Sequence, residues 1–573
     1  MKRTRPASCR RVWPQLHGSR RYASDASEGA WKRFFAVQIK TESPAWQEHA
    51  TLISARQAKH AIEVLEERGL IKAIAGDRTQ LIQRLTSQRI AAYSGIDPTA
   101  PSLHVGHLIP LNVLFWLYAC GHTVTSLVGD TTARIGDPTD RLTARNARSK
   151  GEEQDSSSRM KDQLKMIWRN VDKTLETRKQ MLNQDDYGFR QDLGPRRSID
   201  SNSRWLRNMT LWDFLRTMGR SAKMGAMLSR DTVKNRLEKG ESMTMAEFTY
   251  PLLQAMDWFH MYAERGVEVQ IGGSDQYGNI VAGIDYINYM QRAHPEECTI
   301  GKPGLNAKSR SPYGITTPLL ETSSGQKFGK SAGNAVWLNA DMTSPFDLYG
   351  HLLKTSDDDV ERFLKLLTIA PLDWIEKAMV EQRKDPSKRP AQHLLAQEIC
   401  RIAHGEAIME KTREEHQRSR GLSVDNFASG AGDKTSTVEG VIPSTGSKAR
   451  HYLPHSLVAT TQLVSIAPLV GATGSVKEAK ILREQGGLYV ATKSNDDPNK
   501  LEFKQANSLV TREDWLIDGK YLVMRAGKWR TYPIEVLSDE AFEERKLQVK
   551  GRPDWKTQVK EALERKAAHT QKP

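Results

Sequence analysis

The sequence predicts an α/β fold with a parallel, doubly wound sheet, and three observations support this prediction. Apolar segments at Ile90–Gly95, Val124–Val128 and Val267–Ile271 have the composition of buried strands. Each is followed by a loop rich in Gly with Asp or Pro, and then by a helical pattern. Strands that alternate with helices and have loops at their carboxyl ends are typical of a parallel sheet.

The composition excludes several classes of protein. With 38% hydrophobic and 27% charged residues, the 573-residue chain can bury a large core and is not disordered. The four cysteines are far apart and form no CxxC pair, which excludes a disulfide framework and a zinc ribbon. The longest apolar run, Leu108–Cys120, is too short to span a bilayer, so no membrane association is expected. The net charge of +15 suits a polyanionic partner.

The amino terminus has the composition of a targeting sequence. Residues 1–24 contain seven Lys and Arg, and the first acidic residue is Asp25. The stretch is rich in Ser and Ala and lacks the apolar region of a secretory signal, so residues 1–30 are predicted to be a mitochondrial transit peptide. The alternative is a basic arm that binds RNA directly. Without those seven cations the net charge is still +8 (15 − 7).

Changes in periodicity divide the rest of the chain. Apolar residues recur at helical spacing between Gln47 and Gln88, and residues after about 336 are again helical in pattern. Residues 421–450 are small and polar, as in a flexible linker. The predicted units are a helical extension at 31–85, the parallel-sheet domain at 86–335 with an insertion at about 151–250, a helical domain at 336–420, the linker at 421–450, a small α+β unit at 451–540 and a basic tail at 541–573.

The segment YSGIDPTAPSLHVGHL (93–108) carries the first candidate site. Ser102 could cap a helix that begins near His104, and His104 and His107 would share one face near the positive end of that helix. Such an end suits a phosphate, and Gly106 would let a flat ring approach the backbone. Taken alone, such a pair is more often a set of ordinary helix-start histidines or half of a zinc site, and the sequence offers no third zinc ligand at suitable spacing.

A second basic cluster, KFGKS (327–331), follows in a polar loop. On its own it is typical of a solvated loop. The chain has neither GxxxxGK[ST] nor GxGxxG, so neither a P-loop nor a dinucleotide-binding turn competes for the role of phosphate site.

Together these segments resemble the signatures of class I aminoacyl-tRNA synthetases, which are of the HIGH and KMSKS types; HVGH and KFGKS are the forms present here. Within that class the chain resembles tyrosyl-tRNA synthetases of the bacterial and organellar kind. Three further blocks match in the expected order: GDTTARIGDPTDR (129–141), FTYPLLQAMD (248–257) and QIGGSDQYGNI (270–280). The resemblance implies a Rossmann-like catalytic domain, a helical anticodon-binding domain and a ribosomal-protein-type RNA-binding domain.

The resemblance also implies a reaction. The family couples L-tyrosine to ATP, with Mg²⁺ assisting, and passes the tyrosyl group to the 3′ end of tRNA(Tyr). The attacking carboxylate is already ionised near neutral pH, so catalysis must come from positioning and from charge placed around the α-phosphate. The residues that the resemblance assigns to this role are Thr99, His104, His107, Lys327, Lys330 and Ser331.

The substrate pockets are carried over in the same way. Tyr93 and Asp257 would hydrogen-bond the substrate phenol, and this pair argues against a tryptophanyl enzyme. The remaining tyrosine-site residues are Asp97, Asp137, Tyr250, Gln254, Gln270 and Gln276. The ATP-site residues are Gly95, Gly106, Gly273, Asp275, Arg141 and Arg145. Independently of the family, Tyr250, Gln254 and Asp257 fall at i, i+4 and i+7, which is one stripe of a helix.

The chain also departs from the family pattern. Arg141 stands where the family has a lysine, and Ser94 stands where a cysteine or similar group is frequent. Arginine keeps the positive charge of lysine, but its planar guanidinium replaces the compact ammonium group. Asn183–Arg204 does not align with a compact bacterial version and is interpreted as an insertion.

The carboxyl-terminal unit is predicted to bind RNA. Lys477, Lys480 and Arg483 could share one helix face, and Arg525 and Lys528 add charge in a hairpin region. Polar residues 493–505 are expected to interrupt that hairpin.

The resemblance further implies a homodimer in the mitochondrial matrix. The interface is expected within 204–262, which contains Trp205, Trp212, Phe214 and Phe259. Because mitochondrial members of this family in filamentous fungi also act on group I introns, binding of group I intron RNA is an additional predicted role. A role in splicing alone is disfavoured, since both signature blocks are intact.

Overall fold

The computed structural model of the chain describes residues 44–139, 150–184, 196–240, 243–295, 310–323, 325, 335–420, 451–493, 501–506, 515–527 and 530–570. The predicted transit peptide and the predicted linker lie outside these ranges. In the part of the chain that is described, no helix is long and apolar enough to cross a membrane.

A six-stranded sheet forms the centre of the first domain. Its strands are β1 (Ala73–Ala75), β2 (Ala91–Ile96), β3 (Thr123–Val128), β4 (Arg196–Ser201), β5 (Val267–Gly273) and β6 (Tyr313–Thr317), in the order β1-β6-β5-β2-β3-β4. All neighbours are parallel except β1 and β6. Every residue of β3 is buried, as expected for a parallel strand covered by helices on both faces. The predicted α/β fold with a parallel sheet is therefore confirmed.

Helices pack on both faces of this sheet. The first six are α1 (Pro44–Ser54), α2 (Ala61–Glu67), α3 (Arg78–Ser87), α4 (Leu108–Ala119), α5 (Thr132–Ile135) and α6 (Lys150–Gln184). The next six are α7 (Ser203–Leu206), α8 (Leu211–Phe214), α9 (Met224–Leu228), α10 (Asp231–Glu238), α11 (Met245–Arg265) and α12 (Tyr277–Ala293). The long α11 has a capping box between Thr244 and Glu247 at its start, and it ends at Gly266, whose φ of 67° suits a left-handed cap.

Two strands lie where none was predicted. The segment 47–88, predicted to be helical, forms α1, α2 and α3 but also contains β1, which pairs with β6 at the sheet edge. The segment Asn183–Arg204, interpreted as an insertion, contains β4, which pairs with β3 at the opposite edge. In both cases the strand that supplies the hydrogen bonds is distant in the sequence. Four of the six β4 residues are only half-buried, so the hydrophobicity of that segment does not mark a strand.

Five helices form the second domain, in the region predicted to be helical. They are α13 (Pro345–Leu352), α14 (Asp357–Leu367), α15 (Leu372–Lys384), α16 (Pro390–His404) and α17 (Glu406–Arg420). Their buried residues continue the same hydrophobic core as α2, α4 and α6.

The turn between α14 and α15 joins the two domains by hydrogen bonds. Asn112 of α4 donates to the carbonyls of Leu366 and Thr368, each at 3.0 Å. Arg68 donates to the Ala370 carbonyl at 2.5 Å, and Arg178 donates to the Ile369 carbonyl at 3.2 Å. The helical domain is thus fixed to the helix that begins at the histidine pair.

The carboxyl-terminal unit has a five-stranded sheet in the order β7-β11-β10-β8-β9. Its strands are β7 (His451–Pro454), β8 (Leu488–Lys493), β9 (Leu501–Gln505), β10 (Tyr521–Ala526) and β11 (Arg530–Leu537), and its helices are α18 (His455–Thr460), α19 (Leu463–Ile466), α20 (Val476–Glu484), α21 (Asp539–Glu544) and α22 (Trp555–Thr570). The expected interruption at 493–505 was wrong in part, because β9 pairs antiparallel with β8. Trp555 and Val559, in the predicted basic tail, pack into the core of this unit.

The four aromatic residues predicted for a subunit interface have different environments. Trp205 and Phe259 are buried inside the chain, and Phe214 is half-buried. Only Trp212 is exposed, at 72%. Trp205 and Phe259 are therefore part of the core, and their prediction as interface residues was wrong.

Candidate active site

The candidate site lies at the carboxyl ends of β5, β2 and β3, which are adjacent in the sheet. In the sheet, β3 is the neighbour of β2 on one side and β5 is its neighbour on the other. The connections that leave these strands diverge at their carboxyl ends, so a crevice opens there. This is the position at which open parallel sheets bind ligands. The segments that follow these three strands contain most of the residues predicted for the substrates.

The two histidines lie side by side at the start of α4. Val105–His107 forms a 3-10 turn in which His104 Nδ1 accepts a hydrogen bond from the Gly106 N–H at 3.1 Å. His107 Nδ1 accepts one from the His104 N–H at 3.0 Å. The ring centroids are 3.8 Å apart. Since both Nδ1 atoms are acceptors, each neutral ring carries its proton on Nε2 and can donate it to a ligand.

Burial, together with the neighbouring His104, lowers the pKa of His107 well below its usual value, so this imidazole is neutral at physiological pH. The predicted cap Ser102 was wrong. Its hydroxyl donates instead to the Leu103 carbonyl at 2.7 Å, and His104 caps the turn.

Residues 336–338, which follow the KFGKS motif in the sequence, lie beside the histidine pair. The Val105 N–H donates to the Val336 carbonyl at 3.0 Å, and the Leu338 N–H donates to the Leu103 carbonyl at 2.9 Å. His104 and Trp337 are paired across this short ladder. Lys327, Lys330 and Ser331 themselves lie outside the described residues, as do Arg141 and Arg145.

Three predicted residues project from one stripe of α11. The Tyr250 hydroxyl donates to Asp97 Oδ2 at 2.8 Å. Asp257 is buried and accepts two hydrogen bonds, from Asn202 Nδ2 at 2.9 Å and from Trp205 Nε1 at 2.7 Å. Gln254 lies between them and accepts from Asn279 Nδ2 at 3.2 Å. The helical stripe expected from the sequence therefore faces the sheet rather than solvent.

Tyr93 and Gln270 are neighbours across the β2–β5 pairing. Both are buried, and the Tyr93 hydroxyl and Gln270 Oε1 have no hydrogen-bond partner among the described residues. Burial, with the nearby Asp257 carboxylate, raises the pKa of Tyr93 well above its usual value, so its hydroxyl keeps its proton. A buried polar atom without a partner is costly, which indicates room for a polar ligand group at this point.

A second set of polar residues closes the other side of the crevice. Gln276 Nε2 donates to Asp137 Oδ2 at 2.7 Å and to Asp275 Oδ2 at 3.0 Å. Asn279 Nδ2 donates to Gln276 Oε1 at 3.1 Å, which connects this set to Gln254. Asp275 follows Gly273, where a Cβ would lie 2.3 Å from Asp275 Oδ1. A side chain at Gly273 would therefore displace the Asp275 carboxylate.

The remaining predicted residues lie along the β2 loop. Asp97 follows β2, and its backbone carbonyl accepts from the Thr99 N–H at 2.7 Å. Gly95 is an exposed position of β2, where a Cβ would meet no atom within 4 Å, so a ligand can approach the strand there. Gly106 lies between the two histidines, in the 3-10 turn.

Several site residues were missed by the sequence analysis. Asn202 and Trp205 hold Asp257, and Thr132 donates to Asp97 Oδ1 at 2.7 Å and accepts from Asn202 at 3.0 Å. Asn202 lies in the segment interpreted as an insertion and Trp205 directly follows it, so no matched sequence block marked either residue. Thr132 lies within the matched block 129–141, and that match could have identified it.

Burial has a large effect on Asp257. It raises the pKa of this carboxyl to about 7, with further increases from the charges of Asp97 and Asp130, while the hydrogen bonds from Asn202 and Trp205 act in the opposite direction. Tyr250 is shifted in the same sense as Tyr93, because burial and Asp97 raise its pKa well above the usual value.

Within the described ranges, no group of three or more His, Cys, Asp or Glu side chains could hold a metal ion.

The residues predicted to contact RNA lie in the carboxyl-terminal unit. Lys477, Lys480 and Arg483 are all on α20, and the two lysines are exposed. The Arg525 guanidinium lies between the rings of Tyr489 and Phe503, with its carbon 4.2 and 4.3 Å from the two centroids. Lys528 lies outside the described residues.

A parallel sheet with a histidine pair at the first crossover helix defines the class I tRNA synthetase fold, and comparisons with known proteins agree. The family of tRNA synthetases class I (W and Y) matches residues 85–419, and the tyrosyl-tRNA synthetase C-terminal domain matches residues 443–554.

Individual relatives narrow the family further. A mitochondrial tyrosine–tRNA ligase of Podospora anserina is 36% identical over 93% of this chain and 83% of its own length. A chloroplastic and mitochondrial tyrosine–tRNA ligase of Arabidopsis thaliana is 35% identical over 82% of each chain. The crystal structure of a C-terminally truncated mitochondrial tyrosyl-tRNA synthetase of Aspergillus nidulans aligns with a TM-score of 0.58 at 40% identity, covering 65% of this chain and 98% of that one. The chain belongs to the tyrosyl-tRNA synthetase family, and it is a tyrosine–tRNA ligase.

The raised pKa of Asp257 predicts a pH-dependent contribution to stability. In the unfolded chain this carboxyl has a pKa near 3.8, and in the folded protein it is about 7. The folded state therefore binds the proton more tightly, and the stabilisation is fully present below the unfolded pKa and lost as pH rises through about 7. Asp257→Asn should remove this dependence. Urea unfolding of both proteins between pH 5 and 8 measures it, and identical pH profiles would contradict it.

Proposed function

We propose that this tyrosine–tRNA ligase converts L-tyrosine and ATP to tyrosyl-adenylate and pyrophosphate in the crevice at β2, β3 and β5, and then transfers the tyrosyl group to tRNA(Tyr) in the mitochondrial matrix. The observation that carries the proposal is the buried pair of Tyr93 and Asp257 at the floor of this crevice. The mitochondrial location is supported by the name of the relative from Podospora anserina.

The substrate phenol would bind between Tyr93 and Asp257. Asp257 already accepts from two donors that fix its orientation, and each carboxylate oxygen has a further lone pair. The Tyr93 hydroxyl, which has no partner among the described residues, supplies a donor or an acceptor. A substrate hydroxyl satisfies both groups, whereas phenylalanine leaves the Tyr93 hydroxyl buried without a partner and removes the additional hydrogen bond to Asp257, at a cost of about 1–3 kcal/mol.

The substrate ammonium would bind at the other end of the pocket. Asp137, Tyr250 and Gln254 supply a carboxylate, a hydroxyl and an amide oxygen around this end, and Gln276 ties Asp137 to the network. Asp97 holds Tyr250 in place. The distance between the two ends is fixed by α11, since Tyr250 and Asp257 are seven residues apart on one helix face.

ATP would lie across the start of α4. Two Nε2–H donors from His104 and His107, at the positive end of this helix, would stabilise charge as the α-phosphate becomes five-coordinate. Lys327, Lys330 and Ser331 would bind the pyrophosphate, because in the sequence they shortly precede Val336, which lies beside the histidines. Gly273 and Asp275 would meet the ribose. Mg²⁺ would assist as an ion bound by the phosphates, since the described residues offer it no cluster of three ligands.

The same function requires RNA contacts away from the crevice. Lys477 and Lys480 on the exposed side of α20 would bind tRNA phosphates, and Arg483, Arg525 and Lys528 are further candidates for such contacts. The helical domain of α13–α17 would bind the anticodon region. Binding of group I intron RNA stays a prediction from the sequence, which a binding assay with such an intron would test.

We also propose that two copies associate through the segment 211–245. Its apolar side chains are unusually exposed: Leu211 73%, Trp212 72%, Met224 59%, Leu237 58% and Met245 75%. Exposed large apolar residues concentrated in one segment are typical of an interaction surface.

Removing the imidazole of His104 should affect chemistry more than binding. We expect His104→Ala to slow tyrosyl-adenylate formation by about a hundredfold, the usual effect of losing one preorganised donor at a developing charge. The tyrosine KM should change by less than about threefold, because the phenol and ammonium contacts are elsewhere. Single-turnover adenylate formation measures the first quantity, and the exposed His351→Ala is the matched control. An unchanged rate would remove His104 from the mechanism.

Removing the carboxylate of Asp257 should weaken selectivity. We expect Asp257→Ala to lower the preference for tyrosine over phenylalanine by about ten- to hundredfold, since one hydrogen bond to a charged acceptor is lost. ATP–pyrophosphate exchange with each amino acid gives the ratio of kcat/KM values. Asp358→Ala, at an exposed position of α14, controls for loss of a carboxylate. Undiminished discrimination in Asp257→Ala would refute the phenol assignment.

The molecular mass of the protein in solution tests whether two copies associate. Light scattering at micromolar concentration should give about twice the chain mass of 64.6 kDa. Trp212→Asp should shift the protein toward the monomer, whereas Leu563→Asp, at an exposed apolar position of α22, should not. A monomeric wild-type protein would contradict the proposal.

A further inference from the structure

A layer of side chains lies behind the Asp257 carboxylate, and one of them, His260, has no part in the mechanism above. The indole of Trp205, which donates to Asp257, stacks on the imidazole of His260. The ring centroids are 4.4 Å apart and the planes are inclined by 21°. This near-parallel contact covers one face of the indole and leaves its Nε1–H directed at the carboxylate.

The indole depends on this contact for its orientation. Trp205 belongs to α7, a helix of only four residues, which gives little rigidity by itself. His260 belongs to α11, which has twenty-one residues. Asp257 and His260 are three residues apart on that helix, so they share one face, and the indole bridges them. One long helix thus carries both the acceptor of the indole hydrogen bond and the surface on which the indole rests.

Ion pairs next to Trp205 also attach α7 to α11. The buried Asp200 accepts from Arg204 at 2.9 Å and from Arg265, at the end of α11. Arg204 directly precedes Trp205, so the backbone of α7 is anchored, but these ion pairs leave the side-chain angle of the indole undetermined. Within the buried cluster that contains Trp205, the stack with His260 covers a face of the indole and restricts that angle.

The imidazole of His260 behaves as a neutral flat ring. Burial, with the positive charge of Arg204, lowers its pKa to about 4. At physiological pH the ring therefore adds no charge next to Asp257, and its role can be performed by any planar side chain of similar size.

We propose that His260 is a positioning residue for amino-acid selectivity, which holds the Trp205 indole at the angle where it donates to Asp257. The inference rests on the proposed function, in which Asp257 accepts a hydrogen bond from the substrate phenol. Without the stack the indole can turn, Asp257 loses one of its two donors, and its carboxylate no longer has a fixed orientation toward the phenol. Tyrosine binding and selectivity should suffer, whereas the chemistry at His104 and His107 should not.

Two substitutions separate stacking from simple filling of space. His260→Leu keeps most of the volume but has no flat face, and His260→Phe keeps the flat ring. ATP–pyrophosphate exchange with tyrosine and with phenylalanine gives kcat and KM for each. For His260→Leu we expect a raised tyrosine KM and a fall of about tenfold in the tyrosine-to-phenylalanine ratio, the effect of weakening one hydrogen bond to a charged group. Its kcat should stay within about threefold.

For His260→Phe we expect the ratio to stay within about threefold of the wild type, because the planar contact is retained. His351→Leu, at an exposed histidine of α13, is the matched control and should leave all values unchanged. If His260→Leu does not fold, as judged by circular dichroism, His260→Met, which also fills the space without a flat face, provides the same test.

The outcomes distinguish this inference from the proposed function. A normal ratio in the folded His260→Leu (or His260→Met) protein, alongside a lowered ratio in Asp257→Ala, would overturn the positioning role and leave the phenol site intact. An equal loss in His260→Leu and His260→Phe would also overturn it, because stacking would not be the cause. A normal ratio in Asp257→Ala would refute the phenol assignment itself.

Discussion

The structure of the crevice depends on keeping one carboxylate, that of Asp257, away from water. Moving an unpaired charge into a protein interior costs several kcal/mol, and donors placed by other elements must offset that cost. Asn202 and Trp205 come from the end of β4 and from α7, and they meet Asp257 on α11. Because Asn202 also donates to Thr132, which in turn donates to Asp97, the carboxylate is connected through three loops to the residue that holds Tyr250.

This network explains why certain small residues are needed. The loop after β3 must pass close to the Asp97 side chain, and a Cβ on Gly129 would lie 2.1 Å from Asp97 Oδ1. A side chain at that position would displace Asp97 and with it the hydroxyl of Tyr250. The geometry of the pocket is thus set by contacts between loops from β2 and β3 as much as by the residues that would touch a substrate.

The helical domain is connected to the same region through α4. This helix begins at the histidine pair, and Asn112, five residues after His107, binds the turn that joins α14 to α15. Arg178 binds that turn and is paired with the buried Glu398 of α16, with nitrogen–oxygen distances of 2.6 and 2.8 Å. Buried pairs of this kind fix relative orientation, since removing either partner leaves the other charge unpaired. The phosphate-binding end of the crevice and the helical domain therefore form one continuous packed body.

The sequence by itself determined the class of fold and much of the site. Apolar strands at 90–95, 124–128 and 267–271 predicted β2, β3 and β5 within one or two residues, because buried parallel strands are marked by their own composition. The i, i+4, i+7 spacing of Tyr250, Gln254 and Asp257 predicted a shared helix face, because helical geometry is local. Tertiary structure decided the features that depend on residues distant in the sequence. For example, β1 and β4 are strands only because they pair with β6 and β3 at the two edges of the sheet. Likewise, Asn202 and Trp205 reach Asp257, and Trp205 rests on His260, only because the chain folds β4 beside β3, and no spacing along the sequence encodes contacts between residues more than fifty positions apart.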